Sequence, residues 1–275
     1  MSFTTADVVK LRKVTGAGMM DCKNALTDAE GNFDRALEII REKGKLVASK
    51  RADRDAAEGV VLAKVTGDNK FGAIVVLNCE TDFVAKNENF VAFAESILSL
   101  AMENKSTSLD EVKVLELGSR TVDAQVTEQT GVIGEKIELS YFNTITAETV
   151  VSYIHPGNKL ATIVGFNKAG VETQVAKDVA MQVAAMAPIA IDKDSVPADV
   201  VAKELEIAKE KYRQEGKPEA MLDRIAQGSL NKFFQESTLL NQTYVKDGKI
   251  SIREFLAQND KELKVTSFDR YTLNA

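Results

Sequence analysis

The first stretch of the chain spaces its apolar residues three and four apart, as one helical face does, and interrupts the pattern at glycines. Thr4 and Asp7 stand as a capping box requires, Val8, Leu11 and Val14 follow, and Gly16 closes the run. A second, shorter helix carries Cys22, Ala25, Leu26 and Ala29 up to Gly31. Asn32 then caps a third, with Phe33, Ala36, Leu37 and Ile40 on one face and Gly44 as its expected stop. From Lys45 to Glu58 the chain is alanine-rich and charged, which reads as a helical or flexible tether.

Past the tether the period changes. Residues 61–78 (VLAKVTGDNKFGAIVVLN) align without a gap on residues 150–167 (VVSYIHPGNKLATIVGFN). Each copy reads as strand, polar glycine-containing turn, strand, and each is followed by an amphipathic helix. The first helix carries Phe90, Phe93, Ala94, Ile97, Leu98 and Ala101; the second carries Val175, Val179, Val183 and Met186 and stops before Pro188. Two copies point to pseudo-symmetry and not to a solenoid. Between Pro197 and Glu236 two helices flank the turn Gln214–Pro218, a helical hairpin that either docks on another chain or packs on its own. Asp247-Gly248 marks a tight turn, and Ser251 and Glu254 cap a short helix carrying Ile252, Phe255 and Leu256. The fold class is therefore α+β. A three-helix domain with its tether occupies residues 1–52, one sheet-plus-helix subdomain 53–146, and a related one 147–275. The last includes a helical hairpin at 190–236 and a C-terminal module at 260–275.

Composition narrows the function. A net charge of −6, with no basic block interleaved with aromatics, disfavours direct nucleic-acid binding. No apolar run is long enough to cross a bilayer, so the expectation is a soluble cytoplasmic protein with no membrane partner. The two cysteines, Cys22 and Cys79, stand far apart with no metal or redox spacing and read as small buried hydrophobes. Phosphate-binding glycine motifs, the G-x-S-x-G elbow and H-E-x-x-H are all missing from the sequence, and no cofactor is expected.

The densest chemistry lies where the apolar run 73–77 ends, at Asn78-Cys79-Glu80-Thr81-Asp82-Phe83-Val84-Ala85-Lys86. Loops at strand ends are held by a rigid scaffold and so tend to carry function. Two readings of Phe83 stand: a core plug with a polar neighbour, or a projecting wedge with a charge at its tip. His155, the one histidine, permits a rival enzymatic reading in which it works with Asp82 or Glu80. A helical scaffold or chaperone is a third.

Residues 11–26 (LRKVTGAGMMDCKNAL) resemble the amino-terminal signature of the bacterial elongation factor Ts family, and residues 78–86 (NCETDFVAK) resemble its second. The resemblance continues through Ile133-Gly134-Glu135, Tyr153-Ile154-His155, residues 180–185 and residues 239–245, covering essentially the whole chain. It implies a ubiquitin-associated-like N-terminal domain, a two-subdomain core, a protruding helical hairpin and a short C-terminal module. It implies a guanine nucleotide exchange factor, without chemistry of its own, that promotes GDP release from elongation factor Tu. On that resemblance Thr81, Asp82, Phe83 and Val84 dislocate the partner's Mg²⁺, with Phe83 as wedge. Met19, Met20, Lys50, Ile133, Gly134 and His155 contact the partner, one of the two methionines being expected to face the three-helix core. The helical hairpin is implied as a partner surface or a homodimer contact. The chain departs from the family after His155, reading Pro156-Gly157-Asn158-Lys159 where a glycine-rich basic run is more usual.

Overall fold

The computed structural model describes residues 3–274 and has an α+β fold. It begins with α1 (Thr5–Thr15), α2 (Met19–Asp28) and α3 (Phe33–Lys50). The Thr4–Asp7 capping box forms in both directions, and Asn32 caps α3 through its side chain. Leu11, Cys22, Ala25, Leu26 and Ala36 close a small apolar core. Val14 departs from expectation and is exposed, because the inward stripe of α1 runs through Val8, Leu11 and the half-buried Thr15. The Thr15 hydroxyl lies 3.8 Å from Cys22 Sγ and donates to the Leu11 carbonyl at 2.8 Å.

Next come β1 (Glu58–Val65), β2 (Phe71–Cys79), α4 (Asp82–Ala85), α5 (Glu88–Glu103) and α6 (Leu109–Val114). A two-residue ladder, β3 (Glu116–Leu117) with β4 (Arg120–Thr121), leads into α7 (Val122–Ile133) and β5 (Glu138–Thr146). Sheet one has the order β1-β2-β5 and is antiparallel. The second half contains β6 (Thr149–Ile154), β7 (Leu160–Phe166), α8 (Thr173–Met186), α9 (Ala198–Gln214) and α10 (Glu219–Ser237). It ends with β8 (Thr243–Tyr244), β9 (Asp247–Ser251), α11 (Ile252–Asn259) and β10 (Val265–Thr272). Sheet two has the order β10-β7-β6, also antiparallel.

Two further sequence expectations are corrected. Gly44 does not stop α3, which runs to Lys50 and absorbs the first part of the tether. Gly44 is buried where α3 crosses α7, and a Cβ on Gly131 would overlap its Cα, so this glycine serves close backbone approach. The β8–β9 turn falls at Val245-Lys246, two residues before Asp247-Gly248. Three bonds set that register: Tyr244 and Lys246 both reach Asp178, and the Val245 N–H donates to Gln182.

The repeat read in the sequence is structural. Val61 pairs with Val76 in the first hairpin as Val150 pairs with Gly165 in the second. Both turns place an asparagine in the left-handed region, Asn69 and Asn158, each at φ 56°. The hairpins then clasp each other reciprocally. The Val61 N–H donates to the Asn158 carbonyl at 2.7 Å, and the Val150 N–H donates to the Asn69 carbonyl at 2.6 Å. The third strands correspond too, each reaching its hairpin after four helices and a two-stranded ladder: β5 joins β2 past α4–α7, and β10 joins β7 past α8–α11.

Stacking gives four layers. Val61, Ile74, Val76 and Ile145 of sheet one meet Val150, Ala161 and Ile163 of sheet two in a shared core. The outer face of sheet one, with Val60, Leu62, Val75 and Leu77, is covered by α5 and its neighbours; α8 and α11 cover Val164 and Phe166 of sheet two. Strand β2 is therefore buried on both faces, which is why its sequence is a continuous apolar run.

Candidate functional site

Strand β2 ends at Cys79, whose buried Sγ–H donates to the Thr81 carbonyl at 3.1 Å. Burial, with Glu135 nearby, pushes the Cys79 thiol up to about 12, so it packs and is not a nucleophile at neutral pH. Thr81 takes extended dihedrals and caps α4, its hydroxyl accepting the Val84 N–H at 3.4 Å. Only Ala85 of this single turn is fully buried. Phe83 is 83% exposed, the most exposed large apolar side chain among the described residues. Phe83 is therefore not a core plug: its ring projects from the turn.

Asp82 flanks the ring and pairs with Lys86 one turn on, at 2.6 Å. That hydrogen bond holds the Asp82 carboxyl below its ordinary range, and Lys159 on the second hairpin's turn adds to the effect. Lys159 in turn pairs with Glu58 at 2.8 Å, so the turn carrying His155 is tied to the start of β1.

The other wall of the site is the end of α7. Gly134 closes that helix at φ 81°, and a Cβ there would meet open space, leaving its backbone accessible. Glu135 follows. Its Oε2 accepts the N–H groups of Glu80 and Thr81 at 3.1 and 3.0 Å, and its Oε1 accepts the Thr81 hydroxyl at 2.7 Å. Glu80 answers in the opposite direction: its Oε1 accepts the Lys136 N–H at 2.6 Å and the Arg51 guanidinium at 2.8 Å. The Lys136 bond, reinforced by Arg51, holds the Glu80 carboxyl below its usual value. A crevice of about 310 Å³ beneath α4 is lined by Val84, Phe90, Phe93, Val132 and Ile133.

The structure thus brings Thr81, Asp82, Phe83, Val84, Ile133 and Gly134 into one cluster. Met19 and Met20 lie on the first turn of α2, 39% and 63% exposed. Neither belongs to the three-helix core, whose α2 contribution is Cys22, Ala25 and Leu26, so the expectation that one would face inward is corrected. Lys50 is exposed at the end of α3, and it is the adjacent Arg51 that reaches the site. His155 is exposed at the start of the second hairpin's turn, where Thr66 stands in the first. Its Nδ1 shares a 2.9 Å hydrogen bond with the Tyr153 hydroxyl, while Asp82 and Glu80 are engaged with Lys86, Lys136 and Arg51. Among the described residues no group of three His, Cys, Asp or Glu side chains is arranged to hold a metal ion, and no helix is long and apolar enough to cross a membrane.

Sequence reasoning missed Glu135 and Arg51 as site residues. The signal for Glu135 was present: a strand end turning straight into a helix leaves N–H groups that need an acceptor, and an acid follows the glycine at the end of α7.

Fold and site together define a class: a two-sheet α+β protein that presents an exposed aromatic on a braced helical turn. A family model for elongation factor TS matches residues 80–275. The chain is 52% identical over 274 residues to an elongation factor Ts from Azobacteroides pseudotrichonymphae, covering 100% of this chain and 99% of that relative. It is 50% identical over 276 residues to one from Porphyromonas gingivalis, covering 100% of each, and 50% identical over 272 residues to one from Christiangramia forsetii, covering 98% of each. The chain belongs to the elongation factor Ts family, a family of translation elongation factors.

Proposed function

We propose that the chain binds elongation factor Tu in its GDP-bound and nucleotide-free states and promotes GDP release, with no chemistry of its own. A GTPase holds GDP through a phosphate loop, a helix N-terminus and a Mg²⁺ ion that demands octahedral geometry. A factor that binds the empty state more tightly weakens nucleotide binding by the same factor, without having to touch the nucleotide. In this reading Thr81, Asp82, Phe83 and Val84 dislocate the Mg²⁺, Phe83 wedging between partner helices and Asp82 making polar contacts. Ile133, Gly134 and His155 face the phosphate loop, and Met19 and Met20 give the three-helix unit an adaptable apolar contact. Lys50 adds a cation beside that unit. The three helices act as a ubiquitin-associated-like domain over residues 1–52, followed by subdomains 53–146 and 147–275, with the helical hairpin as a second partner contact or a homodimer surface. The protein acts in the cytoplasm.

The observation that carries this reading is the exposure of Phe83 on a turn braced from two sides. A phenyl ring offers about 150–250 Å² of contact, enough for an anchor in a partner groove. The test is release of a fluorescent GDP analogue from elongation factor Tu. Wild type should accelerate release, and Phe83→Ala should cut the acceleration at least about tenfold with the thermal transition unchanged. No acceleration by the wild-type protein would overturn the reading.

A further inference from the structure

A four-residue helix is far too short to hold itself together, because nucleation of a helical turn is unfavourable. Packing holds this one weakly: Ala85 is buried, Val84 only partly, and Phe83 contributes nothing because it points away. Something else must fix the direction in which the ring projects. The groups placed to do so are two carboxylates, each reaching across to the other's segment. Glu135 takes the N–H groups on which α4 starts, and Glu80 takes the N–H that follows Glu135. The crossing is completed by the Thr81 hydroxyl, which donates to Glu135 while it accepts the Val84 N–H.

We propose that Glu135 is the positioning residue of the Phe83 turn, and that the crossed Glu80–Glu135 clasp makes residues 80–84 and 133–136 one rigid element. The proposal rests on the exchange reading above and adds to it a mechanical requirement. Charge-assisted bonds from a carboxylate to backbone N–H groups are among the stronger ones a protein can make, and a wedge that is already ordered loses little freedom on binding. Arg51, just past α3, shares the Glu80 carboxylate, so the end of the three-helix unit is mechanically continuous with the clasp.

The chemistry of the clasp separates positioning from charge. In Glu135→Gln the amide oxygen keeps both N–H bonds, and the Thr81 hydroxyl reverses to accept from the amide NH₂. In Glu135→Ala the Glu80 and Thr81 N–H groups lose their acceptor. The chain contains no tryptophan, so Phe83→Trp creates a single indole whose fluorescence anisotropy reports the order of the turn without any partner. On the Phe83→Trp background, Glu135→Ala should lower the anisotropy and Glu135→Gln should preserve it. With the natural Phe83, Glu135→Ala should reduce the maximal rate of GDP release about tenfold, with the half-saturating concentration within about twofold, while Glu135→Gln stays within about threefold. Should Glu135→Ala unfold the protein, Thr81→Val on the Phe83→Trp background removes one arm of the clasp and should lower the anisotropy in the same sense. Unchanged anisotropy, an unchanged maximal rate, or equal losses in Gln and Ala would overturn the proposal. Failure of the exchange reading shows separately, as Phe83→Ala leaving GDP release untouched, and the anisotropy measurement then still decides the clasp.

Discussion

Phe83 is exposed on a turn whose neighbouring side chains hold the turn itself. Thr81 is used twice, Asp82 is tied to Lys86, and Ala85 is the one residue of α4 that goes fully into the core. Asp178 on α8 presents the opposite case, a carboxylate held inside. Burial raises its proton affinity, yet Lys246, Tyr244 and Gln174 donate to it at 2.7, 2.5 and 2.6 Å and hold the carboxyl below its ordinary value. A folded value below the unfolded one, about 3.9, stabilises the protein above that pH and is lost as pH falls through the folded value. The urea midpoint should therefore stay level from about pH 7 to 5 and drop below about pH 4. Asp178→Asn should lower stability at pH 7 by about 1–3 kcal/mol and flatten that acid limb. At this scale the sequence announced residues 78–86 as a chemical cluster, but not whether Phe83 pointed in or out. An aromatic after a strand is compatible with both, and the choice depends on Glu135, more than fifty residues downstream.

Among elements, the contact of α3 with α7 is the most sharply specified. The two helices meet at Gly44 and Gly131, but their tolerances differ. A methyl on Gly44 would sit 3.6 Å from the Gly131 Cα, an ordinary contact, whereas a methyl on Gly131 would overlap the Gly44 backbone. Gly44→Ala should therefore raise stability by about 0.5–1 kcal/mol through helix propensity. Gly131→Ala should force the helices apart at about 1–3 kcal/mol and speed proteolysis of the segment after α3. Thermal melts and a timed digestion decide both. Periodicity made the two β-hairpins, α5, α8 and the helical hairpin legible, because each carries its signal locally. It misread Gly44, since a glycine that ends a helix and a glycine that admits a neighbouring helix look alike in one dimension. The stretch from α6 to β5 gave no comparable signal: its elements are short, and their burial is decided by what lies across from them.

In the whole molecule, the two sheets are joined at their third strands as well as at their hairpins. Tyr141 on β5 donates to Asp269 on β10, 2.9 Å from each carboxylate oxygen, and its ring lies 4.5 Å from that of Tyr271. Burial and the nearby carboxylate push the Tyr141 hydroxyl well above its ordinary value, so it stays a donor throughout the neutral range. Tyr141→Phe should cost about 1–3 kcal/mol by leaving Asp269 without that donor, and a double-mutant cycle with Asp269→Ala should show the Tyr141→Phe loss shrinking once the carboxylate is gone. None of this could be read from the sequence, because no local pattern says that residues 265–272 return to residues 160–166. That return has a consequence for how the molecule is assembled. Each sheet must await a third strand from beyond four helices, but the chain to be closed spans residues 80–137 in sheet one and the longer stretch 167–264 in sheet two. Loop closure over that distance is slow, and until it happens β7 offers an unpaired edge to any passing strand. Because closure cost grows only slowly with length, the amides of β2 should gain protection from exchange only modestly ahead of those of β7, and that interval is when the β7 edge is most open to mispairing.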